Sequence, residues 1–384
     1  MTRQRLLLVT PVSAANTRSG AEQRSHLLWR AAQRVGQVDV LQLQEGPTTV
    51  VSTDEQAGES KWVQAEAAAR RWPGARFEPN PSLTAAVEER LGTRLDAYDL
   101  IIGRYLWPIS QLVLPATAAT LVDLDDWRFR HASGAPLTWC SVRTRCTKAF
   151  GHWLAKRQLQ RFDAAFAVSS LDEAELRHLL PLAFLPNVPC GLPESVFAIP
   201  GVQQASFVGS LWYPPNREAV NWLLTAVWPR VRRALPQARL DLLGASSPDE
   251  RAVWARSPGV QAPGFVEDLA RAYASSALIL APMFSGGGTN IKVLEAMGHG
   301  RPCLTTPLVM AAFADALVAG RHLLVAESAP AFADHMIAAL SNPAALQRVA
   351  DEGRQLVISR FSTANFERTA ADFMARLIAA GRRR

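Results

Sequence analysis

Residues 282–306 have the sequence PMFSGGGTNIKVLEAMGHGRPCLTT, and the fold class can be inferred outward from them. The apolar run Leu278–Ala281 precedes this stretch and is typical of a buried strand. Three glycines follow, and residues 290–297 then carry a helical pattern with Ile291 and Leu294 on one side. A strand, a glycine loop and a helix start in this order predict an anion site, because free backbone N–H groups and the positive end of the helix dipole point at one place.

The residues around this predicted anion site suit a nucleotide. Gly286, Gly287 and Gly288 carry no Cβ, so a large anion can approach the backbone closely. Lys292 adds a full positive charge one turn into the helix, and Glu295, one turn further, offers a carboxylate to sugar hydroxyls. A ligand that joins phosphate to ribose uses both features, so the stretch predicts a nucleotide site.

A structural alternative stands beside this hypothesis, since a glycine run after a strand is often only a tight connection. The stretch lacks the Gly-Lys-Ser/Thr of a phosphate-binding P-loop and the Gly-x-Gly-x-x-Gly of a dinucleotide site. The ordered set of glycines, Lys292, Glu295 and the turn at residues 300–302 favours the nucleotide site over a mere connection.

Strand and helix patterns alternate along the whole chain, which predicts α/β layers with parallel sheets. The N-terminal half begins with a strand at residues 5–10, and its Ala-rich stretch 59–72 predicts a helix. Residues 186–193 contain three prolines and a glycine and are typical of a linker. The strand–helix pattern starts again after this linker, so the chain is predicted to hold two domains.

The glycine-loop stretch resembles the donor-binding segment of retaining, nucleotide-sugar-dependent glycosyltransferases of the GT-B fold. This large group is often called family 4, and the variant here has a Gly-Gly-Gly-Thr donor loop. Further segments in matching order extend the resemblance: Phe162-Asp163, Leu185-Pro186-Asn187, Phe207-Val208-Gly209-Ser210, Pro215-Asn216, Trp228-Pro229, Leu243-Gly244 and Gly264-Phe265-Val266. The resemblance covers most of the chain and is strongest over residues 162–306.

The resemblance implies an α/β protein of the GT-B fold, with two Rossmann-like domains and a cleft between them. The expected boundaries are residues 1–188 for the acceptor-side domain and 189–362 for the nucleotide-sugar domain. Residues 363–384 are expected to form a helix that packs back on the N-terminal domain. In such sheets ligands bind beyond the carboxyl ends of the strands, where the glycine loop lies.

The resemblance also assigns site residues. Donor binding falls to Gly209, Asn216, Arg217, Gly264, Phe265, Val266, Gly286, Gly287, Gly288, Thr289, Asn290, Lys292 and Glu295. Catalytic roles fall to Asp125, Asp126 and Lys292, and the acceptor side to Ser19, Gly20 and Arg24. For the carboxylates that follow the strand at residues 120–124, a purely structural role in capping a turn remains the alternative.

The chain departs from the family pattern at three of these positions. The family often has a Glu where this chain has Gly287, so the backbone amides of Gly287 and Gly288 are the candidate sugar contacts. Gly209 is not followed by the basic residue common in the family, and Arg217 is the candidate substitute. The family frequently has a His near the position of Asp125, where a carboxylate would bind sugar hydroxyls or assist the acceptor.

The implied activity is transfer of a sugar, with retention, from a nucleotide-diphosphate sugar to a glycan or lipid-linked acceptor. Cell-surface polysaccharide or glycolipid synthesis is the expected setting. Family enzymes of this type bind the diphosphate through protein groups, so neither a metal nor a cofactor is expected. The alternative is a non-catalytic nucleotide-sugar-binding protein of the same fold, which the glycine at position 287 favours.

Composition argues against a membrane-spanning protein, a signal peptide and a cysteine-bound metal site. The chain has 384 residues, of which 48% are hydrophobic, and no uninterrupted apolar run of about 18 residues, so no membrane span is predicted. The basic start and its short apolar run are typical of a first strand rather than a signal peptide. Four cysteines show no metal-ligand spacing, and a cytoplasmic location is expected.

The formal net charge of +7 is concentrated between Trp127 and Phe162, where eight Lys and Arg residues occur without a single Asp or Glu. Aromatic residues alternate with these cations, which is typical of a surface that meets an anionic membrane. An ordinary basic, solvated face is the alternative. Nucleic acid is not an expected partner, because no recognition motif occurs and acidic residues are numerous elsewhere.

Overall fold

The computed structural model describes residues 3–17, 19–46, 50–52, 60–67, 77–125, 127, 130–131, 142–313 and 316–381, with only the backbone described at 50–52, 130–131 and 142–149. The chain forms two compact units. The first unit comprises Met1–Arg128, Pro136–Pro186 and Thr363–Arg384, and the second comprises Phe129–Ala135 and Asn187–Ser362.

The first unit is built on an eight-stranded sheet with the order β3-β4-β2-β1-β5-β6-β8-β9. Its strands are β1 Gln4–Thr10, β2 Gly36–Glu45, β3 Val50–Ser52, β4 Trp62–Ala67, β5 Leu100–Arg104, β6 Ala119–Leu124, β8 Ala164–Ala167 and β9 Leu182–Phe184. Its helices are α1 Gly20–Gln33, α2 Pro81–Leu91, α3 Leu106–Ser110, α4 Val142–Leu159, α5 Ser170–Leu176 and α14 Thr363–Ala380. All strand pairs are parallel except β3 with β4.

The central strands of this sheet are buried on both faces, as expected for a parallel sheet covered by helices. Every residue of β5, β6 and β8 is buried. The C-terminal helix α14 packs against α1 and β6 within this unit. Phe166 of β8 meets Phe373 of α14 with ring centroids 5.3 Å apart, so aromatic packing joins the helix to the sheet.

The helix predicted over residues 59–72 is wrong where the structure describes this stretch, because Trp62–Ala67 form strand β4. The strand pairs with β2 in parallel and with β3 in antiparallel orientation. Val63, Ala65 and Ala67 alternate inward. Burial of this alternate face and the ladder hydrogen bonds outweigh the helix propensity of alanine, which amounts to a few tenths of a kcal/mol per residue.

The second unit is built on a six-stranded sheet in which all the strand pairs are parallel, in the order β12-β11-β10-β13-β15-β16. Its strands are β10 Gln204–Val208, β11 Arg239–Leu243, β12 Val260–Gly264, β13 Leu278–Ala281, β15 Cys303–Thr305 and β16 Leu324–Val325. Its helices are α6 Pro214–Trp222, α7 Trp228–Ala234, α8 Pro248–Trp254, α9 Leu269–Ala274, α10 Ile291–Gly298, α11 Pro307–Ala311, α12 Ala329–Ser341 and α13 Gln347–Arg360. A π-helical turn, Leu223–Val227, joins α6 to α7.

A two-stranded antiparallel ladder completes the second unit. Strand β7, Arg130–His131, pairs with β14, Ser285–Gly286, at the start of the glycine loop. The backbone of this loop is therefore tied to a segment that lies far from it in the sequence.

The strand order of each main sheet reverses near its centre, and open α/β sheets bind ligands at such a reversal. In the first unit β1 lies between β2 and β5. In the second unit β10 lies between β11 and β13. A ligand site is therefore expected at the loops that follow β1 and β5 and at those that follow β10 and β13.

Candidate functional site

Three neighbouring strands of the second unit end in glycines that bring their backbones close together. Gly209 follows β10, Gly244 follows β11 and Gly264 ends β12, and the Gly244 N–H donates to the Gly264 carbonyl at 2.8 Å. A Cβ at Gly244 would lie 1.8 Å from the Gly209 carbonyl oxygen, so no side chain fits there. This edge of the sheet therefore presents backbone rather than side chains to a ligand.

The glycine loop follows β13 at the same edge. Gly288 has φ +61°, in the left-handed region that favours glycine, and Gly286 has open space where a Cβ would be. Asn290 is the N-cap of α10 but its side chain makes no capping hydrogen bond. Helices α1, α5 and α8, in contrast, are each preceded by an N-cap serine whose side chain accepts a hydrogen bond from a backbone N–H of the first turn. The first turn of α10 thus offers its amides and its positive dipole end to an anion.

The ammonium of Lys292 lies beneath this backbone edge. Its Nζ donates to Asn216 Oδ1 at 2.6 Å, lies 3.7 Å from the Met283 sulfur and stands 4.3 Å from the centre of the Phe207 ring. A Cβ at Gly209 would meet Lys292 Nζ at 3.0 Å. Asn216 donates in turn to the Ser210 carbonyl at 2.8 Å. The lysine is therefore held directly behind the Gly209 turn.

Burial governs the ionisation of this lysine. Lys292 is 8% exposed, and burial lowers the pKa of its ammonium to about 7, while the nearby carboxylate of Glu295 acts in the opposite direction. The neighbouring amide, ring and sulfur do not supply a full compensating charge. An anion that arrived at the Gly209 turn would supply one and would restore the ordinary basicity of the lysine.

Two further contacts brace the glycine loop. The Asn187 N–H donates to Thr289 Oγ1 at 3.3 Å, and the Ser285 hydroxyl donates to Glu218 Oε2 at 2.8 Å. Glu218, on α6, is a residue that the sequence analysis missed. A polar residue two positions after Asn216 was the available signal, but its partner is 67 positions away.

Glu295 lies one turn beyond Lys292 on α10 and is partly buried. The hydroxyl of Tyr273, on α9, donates to Glu295 Oε2 at 3.2 Å. The carboxylate is therefore fixed by a neighbouring helix, at the same end of the sheet as the glycine loop.

The remaining predicted donor residues are exposed at this edge. Arg217 forms an exposed ion pair with Glu250 at 3.1 Å, so its guanidinium is engaged on α8 rather than beside Gly209. Phe265 is 64% exposed and Val266 is partly exposed beyond the end of β12. Trp212, which the sequence analysis did not single out, is 63% exposed on the loop after β10.

The first unit has a charged cluster at the carboxyl ends of its central strands. Asp123 of β6 accepts from Arg24 of α1 at 2.8 Å and from Arg104 of β5 at 3.0 Å. Arg104 also donates to Asp125 Oδ2 at 2.9 Å and to the Ser25 hydroxyl at 3.1 Å. Arg24, Arg104 and Asp123 are at most 2% exposed, whereas the Asp125 side chain is 11% exposed.

This cluster bears on the role predicted for Arg24 on the acceptor side. The guanidinium of Arg24 is buried against Asp123, so any influence on an acceptor passes through Asp123 and Arg104. Arg104 was missed by the sequence analysis, although an Arg directly after the apolar run Leu100 to Gly103 was the available signal. Nearby carboxylates and Tyr105 raise the pKa of Arg104 despite its burial, so it carries its charge throughout.

The other first-unit predictions lie around the same strand ends. Ser19 is the N-cap of α1 and forms a capping box with Glu22, and Gly20 is the first residue of the helix. Tyr105, directly after β5, has φ +64°, which is strained for a residue with a side chain. Asp126 lies outside the described residues.

The basic segment between Trp127 and Phe162 is described only in part, and residues 128–129 and 132–141 lie outside the described ranges. On α4, Phe150 and Trp153 are 43% and 53% exposed and stack with ring centroids 5.8 Å apart. Arg157 lies over the Trp153 ring. Lys156 instead pairs with Glu175 at 2.8 Å, so this cation is neutralised locally.

The described residues contain neither a membrane-spanning helix nor a metal-binding cluster. No helix within them has the length and apolar character needed to cross a bilayer. No group of three or more His, Cys, Asp or Glu residues among them is arranged to hold a metal ion.

The sequence of the second unit matches a known family. Residues 203–342 match the family described as Glycosyl transferases group 1, and this range contains the glycine loop, Lys292 and Glu295. No curated protein matches the chain in sequence.

Solved structures with the same architecture span nearly the whole chain. A sucrose-phosphate synthase from Thermosynechococcus elongatus gives a TM-score of 0.71 at 17% identity, over 98% of this chain and 100% of that one. The fold is GT-B. HepE from Anabaena, in complex with UDP, gives a TM-score of 0.60 at 12% identity, over 97% of this chain and 100% of that one. A glycosyltransferase from Rickettsia africae gives 0.61 at 12% identity, over 98% and 99%.

The predicted GT-B fold class is confirmed by these matches. The family match and the fold together support a GT-B glycosyltransferase.

Proposed function

We propose that this chain is a retaining glycosyltransferase that moves a sugar from a nucleoside-diphosphate sugar to a glycan or lipid-linked acceptor. The observation that carries the proposal is the position of Lys292. Its buried ammonium stands behind the Gly209 turn, at the strand end where the Gly286-to-Gly288 loop and the uncapped start of α10 also lie. These groups suit a diphosphate.

The chemistry of the proposed reaction assigns a task to each group. The bond from the anomeric carbon to the diphosphate oxygen breaks, and a bond from that carbon to an acceptor hydroxyl oxygen forms. The hydroxyl proton passes to an oxygen of the leaving diphosphate. Negative charge grows on the diphosphate as the bond breaks, and preorganised loop amides together with Lys292 stabilise that charge. Donors of this kind contribute several kcal/mol in a water-poor site.

In this proposal Glu295 binds the ribose hydroxyls and the Gly287 and Gly288 amides contact the donor sugar. Thr289 and Asn290 lie where the loop enters α10, and Gly264, Phe265 and Val266 lie toward the nucleotide base. UDP complexes of the Anabaena protein HepE make UDP the first nucleotide to test here.

On the acceptor side, Asp125 is the proposed group for hydroxyl binding, and Arg104 holds it in position. Retention is proposed on the resemblance to family 4, in which the leaving phosphate assists deprotonation of the acceptor. Polysaccharide or glycolipid synthesis in the cytoplasm is proposed on the same ground.

An anionic membrane surface is a further proposed partner through α4. The stacked pair Phe150 and Trp153 is exposed on a helix whose own sequence contains no acidic residue. Aromatic rings of this kind insert at the headgroup level, and nearby cations add electrostatic attraction. Such contact would hold the enzyme at the inner face of the membrane, near a lipid-linked acceptor.

A thermal-shift screen against UDP, GDP and ADP tests donor binding first. A ligand at a hundredfold excess over its dissociation constant stabilises the folded state by about 2.7 kcal/mol, which is readily measured. Transfer is then followed with the matching nucleotide sugars, and the anomeric configuration of donor and product is compared by NMR. Inversion would refute retention, and failure to bind any nucleotide would refute the donor assignment.

Two variants then test the roles of Lys292 and Glu295. Lys292→Ala should lower kcat, because the lysine acts on charge that develops during bond breaking, and Glu295→Ala should raise KM. Lys61→Ala is the matched control, since Lys61 donates to the Leu91 carbonyl at 2.6 Å in the first unit and should leave both constants unchanged. Wild-type kcat/KM in both site variants would refute the site.

The glycine at position 287 favours a second candidate, a nucleotide-sugar-binding protein without transfer activity. A carboxylate common in the family is missing there, so donor binding without turnover is its expected behaviour. Saturable nucleotide-sugar binding with neither transfer nor donor hydrolysis, across a panel of acceptors, would favour this candidate.

A further inference from the structure

The residue behind Glu295 is a tyrosine with no exposure to solvent. Tyr273 of α9 is 0% exposed, and its hydroxyl donates to Glu295 Oε2 at 3.2 Å. Burial, and then the nearby charge of Glu295, raise the pKa of Tyr273 well above its usual range. The phenol therefore stays protonated and acts as a hydrogen-bond donor to the carboxylate.

The tyrosine ring is held on two sides. His299 stacks on it with ring centroids 4.5 Å apart and planes 18° from parallel. Burial lowers the pKa of His299 to about 4, so the stacked imidazole is neutral at physiological pH. The buried Arg301 grips the backbone of the same residue, because its Nε donates to the Tyr273 carbonyl at 3.0 Å.

Arg301 also donates to the carbonyls of Gly300 and Phe197, so it is tied to two further segments. The hydroxyl of Tyr273 is consequently a fixed point rather than a mobile contact. A carboxylate on a flexible side chain loses rotamer entropy when it binds a ligand, and a fixed hydrogen bond removes part of that loss beforehand.

We propose that Tyr273 is a positioning residue that sets the orientation of the Glu295 carboxylate for the vicinal hydroxyls of a nucleotide ribose. The proposal rests on the function proposed above and adds to it a residue on a different helix. Tyr273 does not touch the ligand in this account. It acts through Glu295, so its effect depends on whether the ligand carries the hydroxyls that Glu295 binds.

The test compares ribonucleotide binding with dideoxyribonucleotide binding. Whichever of UDP, GDP or ADP binds the wild-type chain is titrated calorimetrically, next to its 2′,3′-dideoxy analogue. Tyr273→Phe should weaken binding of the ribonucleotide by roughly 3- to 10-fold, in line with the net contribution of an ordinary hydrogen bond. Binding of the dideoxy analogue should not change.

Tyr98→Phe is the matched control. Tyr98 is a buried tyrosine of the first unit whose hydroxyl donates to Asp39 Oδ2 at 2.7 Å. The control variant loses the same kind of bond and should lose stability, yet it should bind both nucleotides as the wild type does. An equal effect of Tyr98→Phe and Tyr273→Phe on the ribonucleotide would overturn the proposal.

A second pair of variants keeps the proposal testable without Tyr273→Phe. In Glu295→Gln the side-chain carbonyl can still accept a hydrogen bond from the Tyr273 hydroxyl, whereas Glu295→Ala has no side-chain acceptor at this position. The Gln variant should therefore keep more preference for ribose over dideoxyribose than the Ala variant. Equal preference in the two variants would overturn the positioning role, as would a Tyr273→Phe variant that weakens both nucleotides alike.

These outcomes separate the inference from the proposed function. If the wild-type chain binds none of the three nucleoside diphosphates, the proposed function fails and the inference falls with it. If it binds one of them and Tyr273→Phe leaves the ribose preference unchanged, only the inference fails.

Discussion

At the residue scale, the ionisation of Lys292 should couple ligand binding to proton uptake. Burial lowers the pKa of this lysine to about 7, and a bound diphosphate should raise it again. Above pH 8 a free diphosphate is fully ionised, so the remaining fall in affinity with rising pH should come from Lys292. Calorimetry in two buffers with different ionisation enthalpies measures the proton uptake. Lys292→Met should show none, and its absence in the wild type at pH 8.5 would contradict the assignment.

The same ionisation determines the direction in which the stability of the folded chain changes with pH. The pKa of Lys292 is lower in the folded chain than the value of about 10.4 of an unfolded lysine. The unfolded state therefore binds more protons between these two pH values, and stability without ligand should rise with pH in that window. The stability gained in this window is lost again as the pH falls to about 7, the pKa of Lys292 in the folded chain. Comparison with Lys292→Met isolates it from all other titrating groups.

Asp123 and Asp125 differ by two positions but should differ strongly in their importance for folding. Asp123 pairs with two buried arginines, so Asp123→Asn leaves buried charge uncompensated and should cost about 3–5 kcal/mol. Asp125→Asn leaves Arg104 paired with Asp123 and should cost much less, while it lowers transfer to the acceptor. Denaturant unfolding and transfer assays check both. Equal destabilisation by the two substitutions would contradict the structure of this cluster.

At the element scale, the close approach of the strand ends in the second unit leaves no room for a side chain at position 244. In Gly244→Ala the new Cβ would collide with the Gly209 carbonyl, so we expect a loss of more than about 1 kcal/mol of stability and weaker nucleotide binding. Gly151→Ala, in α4, is the control because nothing lies within 4 Å of its Cβ. That control should stabilise the helix by about 0.5–1 kcal/mol. Wild-type nucleotide binding in Gly244→Ala would contradict the packing of the strand ends.

Helix α4 should bind anionic vesicles. Each cation that reaches the surface adds about 1 kcal/mol, and the exposed Phe150 and Trp153 add an apolar contribution that salt does not screen. Co-sedimentation should therefore fall with salt without vanishing. Trp153→Ser should remove most of the salt-resistant part of the binding. Trp212→Ser, at a tryptophan of the second unit that is even more exposed, should not. Equal, negligible binding to neutral and anionic vesicles at low salt would exclude the membrane proposal.

At the scale of the whole molecule, transfer is expected without a divalent metal. The loop amides, the start of α10 and Lys292 supply the positive potential that the leaving diphosphate needs. Activity should therefore persist in excess EDTA. Complete loss in EDTA that Mn²⁺ or Mg²⁺ restores would contradict stabilisation of the leaving group by protein groups alone.

Because the two units have separate sheets, a ligand that binds to one unit should stabilise that unit directly. The predicted donor residues all lie in Asn187–Ser362, so nucleotide binding should stabilise the second unit directly. The strand-order reversals place a candidate site in each unit, at the loops that follow β10 and β13 and at those that follow β1 and β5.

The sequence by itself determined the alternating α/β architecture, the glycine loop and the helix start beside it. Hydrophobic periodicity and the position of glycines are local properties, and the bounds of β13 agree with the apolar run Leu278–Ala281 from which it was predicted. The GT-B fold itself was implied by the resemblance of these segments, in their order, to a known family.

Only the tertiary structure decided which side chains meet. Lys292 and Asn216 are 76 positions apart, and Arg24 and Asp123 are 99 apart, so no local pattern relates them. The Ala-rich stretch at Trp62–Ala67 became strand β4 because β2 and β3 offered it ladder hydrogen bonds, which propensity alone does not encode. Tyr273 likewise became a candidate positioning residue only when packing brought α9 against Glu295, since burial and hydrogen bonding are properties of the folded chain.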